Sequence, residues 1–197
     1  MLIENGLLTT AKQLASPNYD NRPQSVNPDL LVLHSISLPP GKYGGKGIEQ
    51  LFSNQLNPDE HPYYQQIADL KVSAHLLIRR TGELLQFVNF DARAWHAGQS
   101  CFEGRECCND YSIGIELEGT DTDNFEEAQY QALLAVTLAL LKYYPDMAAK
   151  RITGHEDIAS GRKTDPGKGF DWVYFRSMLS AAHADQHVDQ NLTTNIN

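Results

Sequence analysis

Residues 151–169 read RITGHEDIASGRKTDPGKG and bring an imidazole, an acid and an amine together within a short stretch. His155 follows a brief apolar run, Asp165 comes later in the stretch, and Lys163 lies just before that acid. Glycine and proline are too frequent here for a continued helix or a central strand, so the sequence predicts a loop. Zinc accepts imidazole and carboxylate ligands, but a catalytic zinc ion usually takes three side chains and keeps a fourth position for water. A third ligand must therefore come from elsewhere in the chain.

The segment Leu30–Ile36, LLVLHSI, contains the candidate for that ligand. It is almost continuously apolar, which is typical of a strand buried on both faces of a sheet. His34 shares one face of this strand with apolar residues, so its imidazole needs a partner to offset desolvation. His34, His155 and Asp165 could therefore hold a zinc ion and leave one position open for water, although their spacing alone is weak evidence for this. The alternative is a core histidine at position 34 and two unrelated side chains on a surface loop.

The segment Tyr111–Glu118, YSIGIELE, alternates strictly between apolar residues and a second set of small and acidic residues. On that second face Ser112 and Gly114 leave room beside Glu116. A carboxylate near a zinc site could take a proton from water as the water attacks a carbonyl, so Glu116 is the candidate general base. The alternative is a solvated strand face on which Glu116 and Glu118 are equivalent and have no function.

Other polar side chains near these motifs have more than one interpretation. Lys163 could stabilise an oxyanion beside the proposed ligand Asp165, or it could be an ordinary surface lysine. His75 fits a packed or hydrogen-bonded core position. His96 could form a structural zinc site with the cysteines, although no CxxC pair is present. Trp95 is a core residue by default, and its small neighbours also allow it to line a sugar-binding cleft.

The 197-residue chain is long enough for one domain with a proper core and too short for two full ones. Its hydrophobic fraction of 41% and charged fraction of 21% are ordinary for a globular protein, which excludes disordered and fibrous classes. The formal net charge of -9 and the scattered lysines and arginines argue against a nucleic-acid partner.

Residues 1–20 contain no basic segment followed by an apolar run, so we expect no export signal. No apolar run reaches membrane-spanning length. The cysteine count is odd, and adjacent cysteines are unfavourable for a structural disulfide, so Cys101, Cys107 and Cys108 fit a reducing compartment. The sequence therefore predicts a cytoplasmic protein without a membrane partner, and it gives no sign of an obligate protein partner.

Apolar residues at helical spacing predict helices at Leu7–Leu14, Ile48–Asn54, Glu126–Tyr144 and Asp171–Ala182. At the start of the third, Asn124 with Glu127 three positions later resembles a capping box.

The segments Val72–Arg79 and Leu84–Val88 flank a Thr-Gly turn and predict a hairpin, to which Asp91–His96 could add a strand. Together the patterns favour an α/β fold in which helices flank a central mixed β-sheet, in one domain over residues 1–181. Residues 182–197 are polar and predict a disordered C-terminal tail.

Five blocks of this sequence resemble a known family. They are LVLHSISLPPGKYGG, SAHLLIRRTGELLQFV, RAWHAG, CNDYSIGIELEGTD and TGHEDIASGRKTDPG, in that order. They are similar to the AmpD-type cytoplasmic amidases of bacteria, relatives of phage amidases and peptidoglycan recognition proteins, from about Leu7 to Leu179. The resemblance implies an N-acetylmuramoyl-L-alanine amidase-like fold. It also implies a zinc enzyme that cleaves the amide between 1,6-anhydro-N-acetylmuramic acid and L-alanine in muropeptides during peptidoglycan recycling.

The family's functional positions coincide with the candidates found from the residues. The resemblance implies that His34, His155 and Asp165 are the metal ligands, with one Zn²⁺ per chain. It implies that Glu116 is the general base and that Lys163 stabilises the transition state.

The resemblance also suggests where the anhydro-muropeptide binds. Ser35 stands where the family often has asparagine, close to the expected substrate position, and a basic residue common just before Cys108 is replaced by Cys107. Lys71 and Arg105 could supply cations for the carboxylates of the stem peptide, and Trp95 could line the cleft.

Two other functions remain compatible with the same motifs. One is a non-catalytic muropeptide-binding protein, which a complete set of ligands disfavours. The other is a lytic amidase that acts on the intact wall outside the membrane, which the expected absence of an export signal disfavours.

Overall fold

A six-stranded mixed sheet lies at the centre of the structure, a computed structural model that describes the backbone of residues 1–193 and the side chains of residues 1–182. The strands in chain order are β1 (Ile3–Glu4), β2 (Leu7–Leu8), β3 (Lys12–Gln13), β4 (Tyr19–Asn21), β5 (Leu30–Ile36), β6 (Leu76–Ile78), β7 (Leu84–Gln86), β8 (Ala92–Ala94), β9 (Cys101–Phe102), β10 (Arg105–Glu106), β11 (Ser112–Glu118) and β12 (Ile152–Gly154). The central sheet has the order β12-β5-β11-β6-β7-β3. Its first four strands are parallel, and β7 runs antiparallel to β6, which confirms the predicted α/β class, mixed sheet and hairpin.

Five α-helices accompany the sheet in the described part of the chain: α1 (Gly47–Phe52), α2 (Pro62–Ile67), α3 (Glu127–Tyr143), α4 (His155–Ile158) and α5 (Trp172–Thr193). The predicted helices at Ile48–Asn54 and Glu126–Tyr144 are confirmed as α1 and α3. The capping pair of α3 was misplaced, because the Gln129 side chain accepts from the Glu126 N–H at 3.0 Å.

Strands β5 and β11 divide the core into two faces, as their alternation predicts. One face packs on α3 and α5 and buries the apolar residues Leu31, Leu33, Ile113, Ile115 and Leu117. Each of these side chains contributes about 1.5–3 kcal/mol through burial. The opposite face carries His34 on β5 and Glu116 on β11. The helical layer thus holds the sheet in place while the other face remains available for polar groups.

Two predictions for short segments were wrong. Leu7–Leu14 forms no helix, because its backbone groups bond to other strands: β2 pairs with β1 and β3 pairs with β7. The Leu8 N–H also donates to Gln86 Oε1 at 2.7 Å. The strand predicted at Asp91–His96 exists as β8, but it pairs with β4 in a separate ribbon instead of extending the hairpin.

The last helix, α5, continues beyond its predicted end at Ala182. The side chains of the predicted tail, residues 182–197, lie almost entirely outside those described, so disorder of that tail stays a prediction. No helix within the described residues combines the length and apolar character needed to cross a bilayer.

A buried ion pair holds the loop that follows β5. Arg79 donates to Glu118 Oε1 at 2.7 Å, and the Gly44 N–H donates to the same oxygen at 2.7 Å. The side chains of Arg79 and Glu118 are only 7% and 3% exposed. Arg79 also donates to Glu49 on α1, at 2.7 Å. Glu118 therefore connects the loop to the sheet. The alternative in which Glu118 lies on a solvated face without a function is wrong.

We expect Glu118→Ala to lower the free energy of unfolding by about 3 kcal/mol, because the change removes the buried partner of Arg79 and leaves only the more exposed Glu49 paired with it. Chemical denaturation at neutral pH measures this loss. Glu103→Ala is the control, since Glu103 is 68% exposed in its ion pair with Arg151 and should cost at most about 1 kcal/mol. Equal losses in the two variants would show that the buried pair has no special role.

Candidate active site

Three parallel strands place three polar side chains at one level of the sheet. In the register of β12 on β5, Gly154 lies opposite Leu33, so His155 and His34 follow side by side. In the register of β11 on β5, Glu116 lies directly opposite His34. Neighbouring strands are about 4.8 Å apart, and the carboxyl ends of parallel strands are where such sheets commonly bind ligands.

Asp165 reaches the same point because its loop folds back on the start of α4. The Glu156 N–H donates to the Asp165 carbonyl at 2.8 Å, which places the acid beside His155. The stretch predicted as a loop therefore contains one helical turn, His155–Ile158, before it returns. Lys163 is exposed on the returning segment, and its N–H donates to the Ala159 carbonyl at 3.1 Å.

The three predicted metal ligands point at one another. His34 Nδ1 lies 3.0 Å from His155 Nδ1, and each of these atoms lies 3.0 Å from Asp165 Oδ2. Atoms in such a triangle can share an ion with bonds of about 2.0–2.2 Å, the range found for zinc with nitrogen and oxygen ligands. Within the described residues this is the only group of this kind with three or more candidate ligands.

The proton positions in this cluster favour a cation. His155 Nε2 lies 3.1 Å from the Ala97 carbonyl, which can only accept, so Nε2 carries the proton and Nδ1 offers a lone pair. Asp165 Oδ2 is an acceptor as well. Two acceptors then compete for a single proton on His34 Nδ1, whereas one shared cation satisfies all three atoms.

Burial of His34 and hydrogen bonds to Asp165 keep these groups in the forms that bind metal. Desolvation lowers the pKa of His34 to about 4, against the opposing effect of Asp165. Burial by itself would raise the pKa of Asp165, but hydrogen bonds with His155 and His34 outweigh it and hold that pKa below its usual range. A neutral imidazole and an ionised carboxylate are the states that a metal ion requires.

Glu116 is a buried carboxyl group that lacks a full set of partners. It is 8% exposed, and its Oε2 has no hydrogen-bond partner among the described residues. Burial, together with the charge of Asp165, raises the pKa of Glu116 well above its ordinary value, and Lys163 opposes the shift. A carboxyl group with a raised pKa in a cleft is typical of a catalytic acid or base.

One cleft of about 520 Å³ brings together all five residues predicted to bind metal or to catalyse. Part of the cleft lining is apolar and includes Leu38, Tyr63, Ile67 and Leu70. Ser35 also lines the cleft, as predicted, but its hydroxyl donates to Asp121 Oδ1 at 2.9 Å.

The other predicted substrate-contact residues do not themselves line the cleft. Lys71, Trp95 and Arg105 are not among the described residues that line the cleft. Arg105 forms an ion pair with Asp29 at 3.0 Å and covers the Tyr111 ring at 3.6 Å, so its charge is engaged away from the metal ligands. The structure does not bring Arg105 to the cleft, and substrate contacts by Lys71 and Trp95 stay predictions.

The sequence did not predict the position of the His96 ring. Its Nδ1 lies 2.9 Å from His34 Nε2, so the alternative of a structural zinc site with the cysteines is wrong. The cysteines are free, with Cys101 and Cys107 exposed and Cys108 buried. The block RAWHAG contains His96, but its pattern alone gave no reason to place that ring against β5.

His75 has the core role that its strand position predicted. Its Nδ1 accepts from the Gly114 N–H at 3.0 Å, its Nε2 lies 3.1 Å from the Ala92 carbonyl, and the residue is fully buried. Desolvation lowers its pKa to about 3.

Comparisons with known proteins agree with this geometry. Residues 24–168 match the family profile of N-acetylmuramoyl-L-alanine amidases. The chain is 58% identical to 1,6-anhydro-N-acetylmuramyl-L-alanine amidase AmpD of Escherichia coli (strain K12) over 180 residues, which cover 91% of this chain and 98% of that one. A crystal structure of a selenomethionine derivative of AmpD superposes with a TM-score of 0.89 at 57% identity, and the match covers 91% of this chain and 99% of that one.

A more distant structure was solved with a ligand. AmpDh3 from Pseudomonas aeruginosa, in complex with anhydromuramic pentapeptide, has a TM-score of 0.56 and 29% identity, with coverage of 76% of this chain and 59% of that one.

Replacing Glu116 with methionine should raise the free energy of unfolding of the metal-free protein by about 1–3 kcal/mol, because it removes a buried polar atom without a partner. Urea denaturation at pH 7 measures the change. Glu118→Met, two positions along the same strand face, is the matched control and should be destabilised because Arg79 loses its buried partner. Destabilisation of both variants would contradict the claim that the unpartnered Glu116 carboxyl group lowers the stability of the protein.

Proposed function

This chain belongs to the N-acetylmuramoyl-L-alanine amidase family, and from that premise we propose that it hydrolyses the amide between 1,6-anhydro-N-acetylmuramic acid and L-alanine in muropeptides, using one zinc ion. The observation that carries the proposal is the convergence of His34 Nδ1, His155 Nδ1 and Asp165 Oδ2 in a cleft that also contains Glu116 and Lys163. A non-catalytic binding protein would not need this complete set.

Each of these five residues has its own role in the proposed reaction. Zinc held by His34, His155 and Asp165 would supply Lewis acidity for the attacking water and the lactyl carbonyl. Glu116 takes a proton from the water as it attacks the carbonyl carbon, and its raised pKa suits a base that must later return a proton. The Lys163 ammonium stabilises the oxyanion that forms. Glu116 then passes the proton to the alanine nitrogen as the amide bond breaks.

The relatives support the substrate class. The Escherichia coli relative is named as a 1,6-anhydro-N-acetylmuramyl-L-alanine amidase, and AmpDh3 was solved with anhydromuramic pentapeptide. The apolar part of the cleft lining, in the same cleft as the ligand cluster, offers a surface for the anhydro sugar. We place the reaction in the cytoplasm, during peptidoglycan recycling, and the free thiols are typical of a reducing compartment.

Zinc should bind with a stoichiometry of one ion per chain. Since the ion binds only the folded state, zinc at a thousand times its dissociation constant should add about 4 kcal/mol of stability. Metal analysis and thermal unfolding before and after chelation test this, with zinc restored in the last step. His155→Ala should lose both the ion and the stabilisation, while His61→Ala, a histidine outside the cluster, should retain both. A metal-free, fully active wild type would refute the zinc assignment.

Glu116→Gln and Lys163→Ala should bind zinc normally and lose hydrolysis of anhydro-muropeptide, by roughly 10²–10⁴-fold for the base and 10²–10³-fold for the lysine. Lys168→Ala, an exposed lysine nearby on the same segment, should keep full activity.

The same assay separates the competing functions. Wild-type protein should cleave anhydro-muropeptide in preference to intact sacculi. Preference for sacculi would indicate a lytic amidase, and binding without cleavage by the zinc-loaded protein would indicate a recognition protein.

A further inference from the structure

The outer nitrogens of both metal-binding imidazoles meet two consecutive residues. His34 Nε2 lies 2.9 Å from His96 Nδ1, and His155 Nε2 lies 3.1 Å from the carbonyl oxygen of Ala97. His34 lies on β5 and His155 begins α4, yet the segment after β8 contacts both. We call residues 96 and 97 the outer pair.

The outer pair is held firmly in its own right. Asn109 Oδ1 accepts from the N–H groups of His96 and Ala97, at 3.1 and 2.8 Å. Arg162 donates to the Ala97 carbonyl at 2.7 Å. The His96 ring fills space that Gly114 leaves open, since a Cβ at Gly114 would lie 2.4 Å from the ring. The position of the outer pair is therefore determined from several sides.

The chemistry of the contact determines where the protons lie. An imidazole that binds a cation through Nδ1 must carry its proton on Nε2 and donate it to an acceptor. The Ala97 carbonyl can only accept, which suits His155. His96 Nδ1 accepts from His34 when its own Nε2 carries a proton, and that nitrogen lies 3.2 Å from the Ser112 hydroxyl, which can accept it.

We propose that His96 is a positioning residue for zinc: by accepting from His34 Nε2, it orients the ring and directs the Nδ1 lone pair at the ion, as the Ala97 carbonyl does for His155. This inference rests on the proposed function, in which His34 and His155 bind the metal. Partners of this kind typically change metal affinity by about 10–100-fold.

Two nearly isosteric substitutions test the role of the acceptor. Asparagine at position 96 keeps an oxygen near the place of Nδ1, whereas leucine has a similar shape and no polar atom. His96→Leu should weaken zinc binding by about 10–100-fold in competition with a chromophoric chelator, and His96→Asn should stay within about threefold of wild type. If the leucine variant does not fold, His96→Gln replaces it, because its side chain has no acceptor at the Nδ1 position.

A matched control separates positioning from general loosening of the core. His75 belongs to the same histidine cluster, with its ring 5.6 Å from that of His96, but its nitrogens contact the backbone of Gly114 and Ala92 and, at 3.2 Å, the Arg22 guanidinium. His75→Leu and His75→Asn should therefore differ little from each other in zinc affinity. In ¹⁵N-histidine spectra of the zinc-loaded wild type, the His34 proton should be on Nε2.

The outcomes are distinct. The proposal is overturned if His96→Leu and His96→Asn have the same zinc affinity, whether both match wild type or both are weaker. It is also overturned if His75→Leu loses as much zinc affinity as His96→Leu. A His34 proton on Nδ1 would overturn it as well. A wild type that binds no zinc refutes the proposed function itself, because the positioning role requires the ion.

Discussion

The parallel register of β12, β5 and β11 is the constraint on which the site depends. It places His155, His34 and Glu116 side by side, although they are far apart in sequence. A shift of β5 by one residue would turn His34 toward α3 and bring an apolar side chain into the cleft. The apolar face packed on α3 and α5 makes such a shift costly. The core therefore determines the geometry of the site as well as the stability of the fold.

The site in turn lowers the stability of the structure that holds it. His34 and Glu116 are desolvated, and Glu116 Oε2 has no partner among the described residues. Two positions along the same strand, Glu118 has the opposite role, because it is fully paired with Arg79. Natural proteins violate local rules of polar satisfaction mainly at functional sites. The contrast between two glutamates on one strand face thus distinguishes the proposed catalytic acid from a structural one.

Sequence patterns predicted the parts of the fold that depend on periodicity. The apolar run of β5 and the alternation of β11 gave the correct faces for His34 and Glu116. Periodicity could not show that Leu7–Leu14 would bond to other strands, because tertiary pairing overrides local preference. Nor could it place the His96 ring, since that contact depends on the space left by Gly114. The sequence shows that Arg105 is charged, but it does not show that Asp29 is its ion-pair partner.

Ser35 has a structural role in the site that its expected place beside the substrate did not predict. Its hydroxyl donates to Asp121, and the Thr164 hydroxyl donates to the other oxygen of that carboxylate. Ser35 follows His34 and Thr164 precedes Asp165, so one carboxylate links the backbones beside two proposed ligands. Because both oxygens of Asp121 accept from hydroxyls, this carboxylate holds the end of β5 and the returning loop at a fixed separation. The spacing of His34 and Asp165 therefore depends on Asp121, a residue that does not belong to the ligand cluster itself.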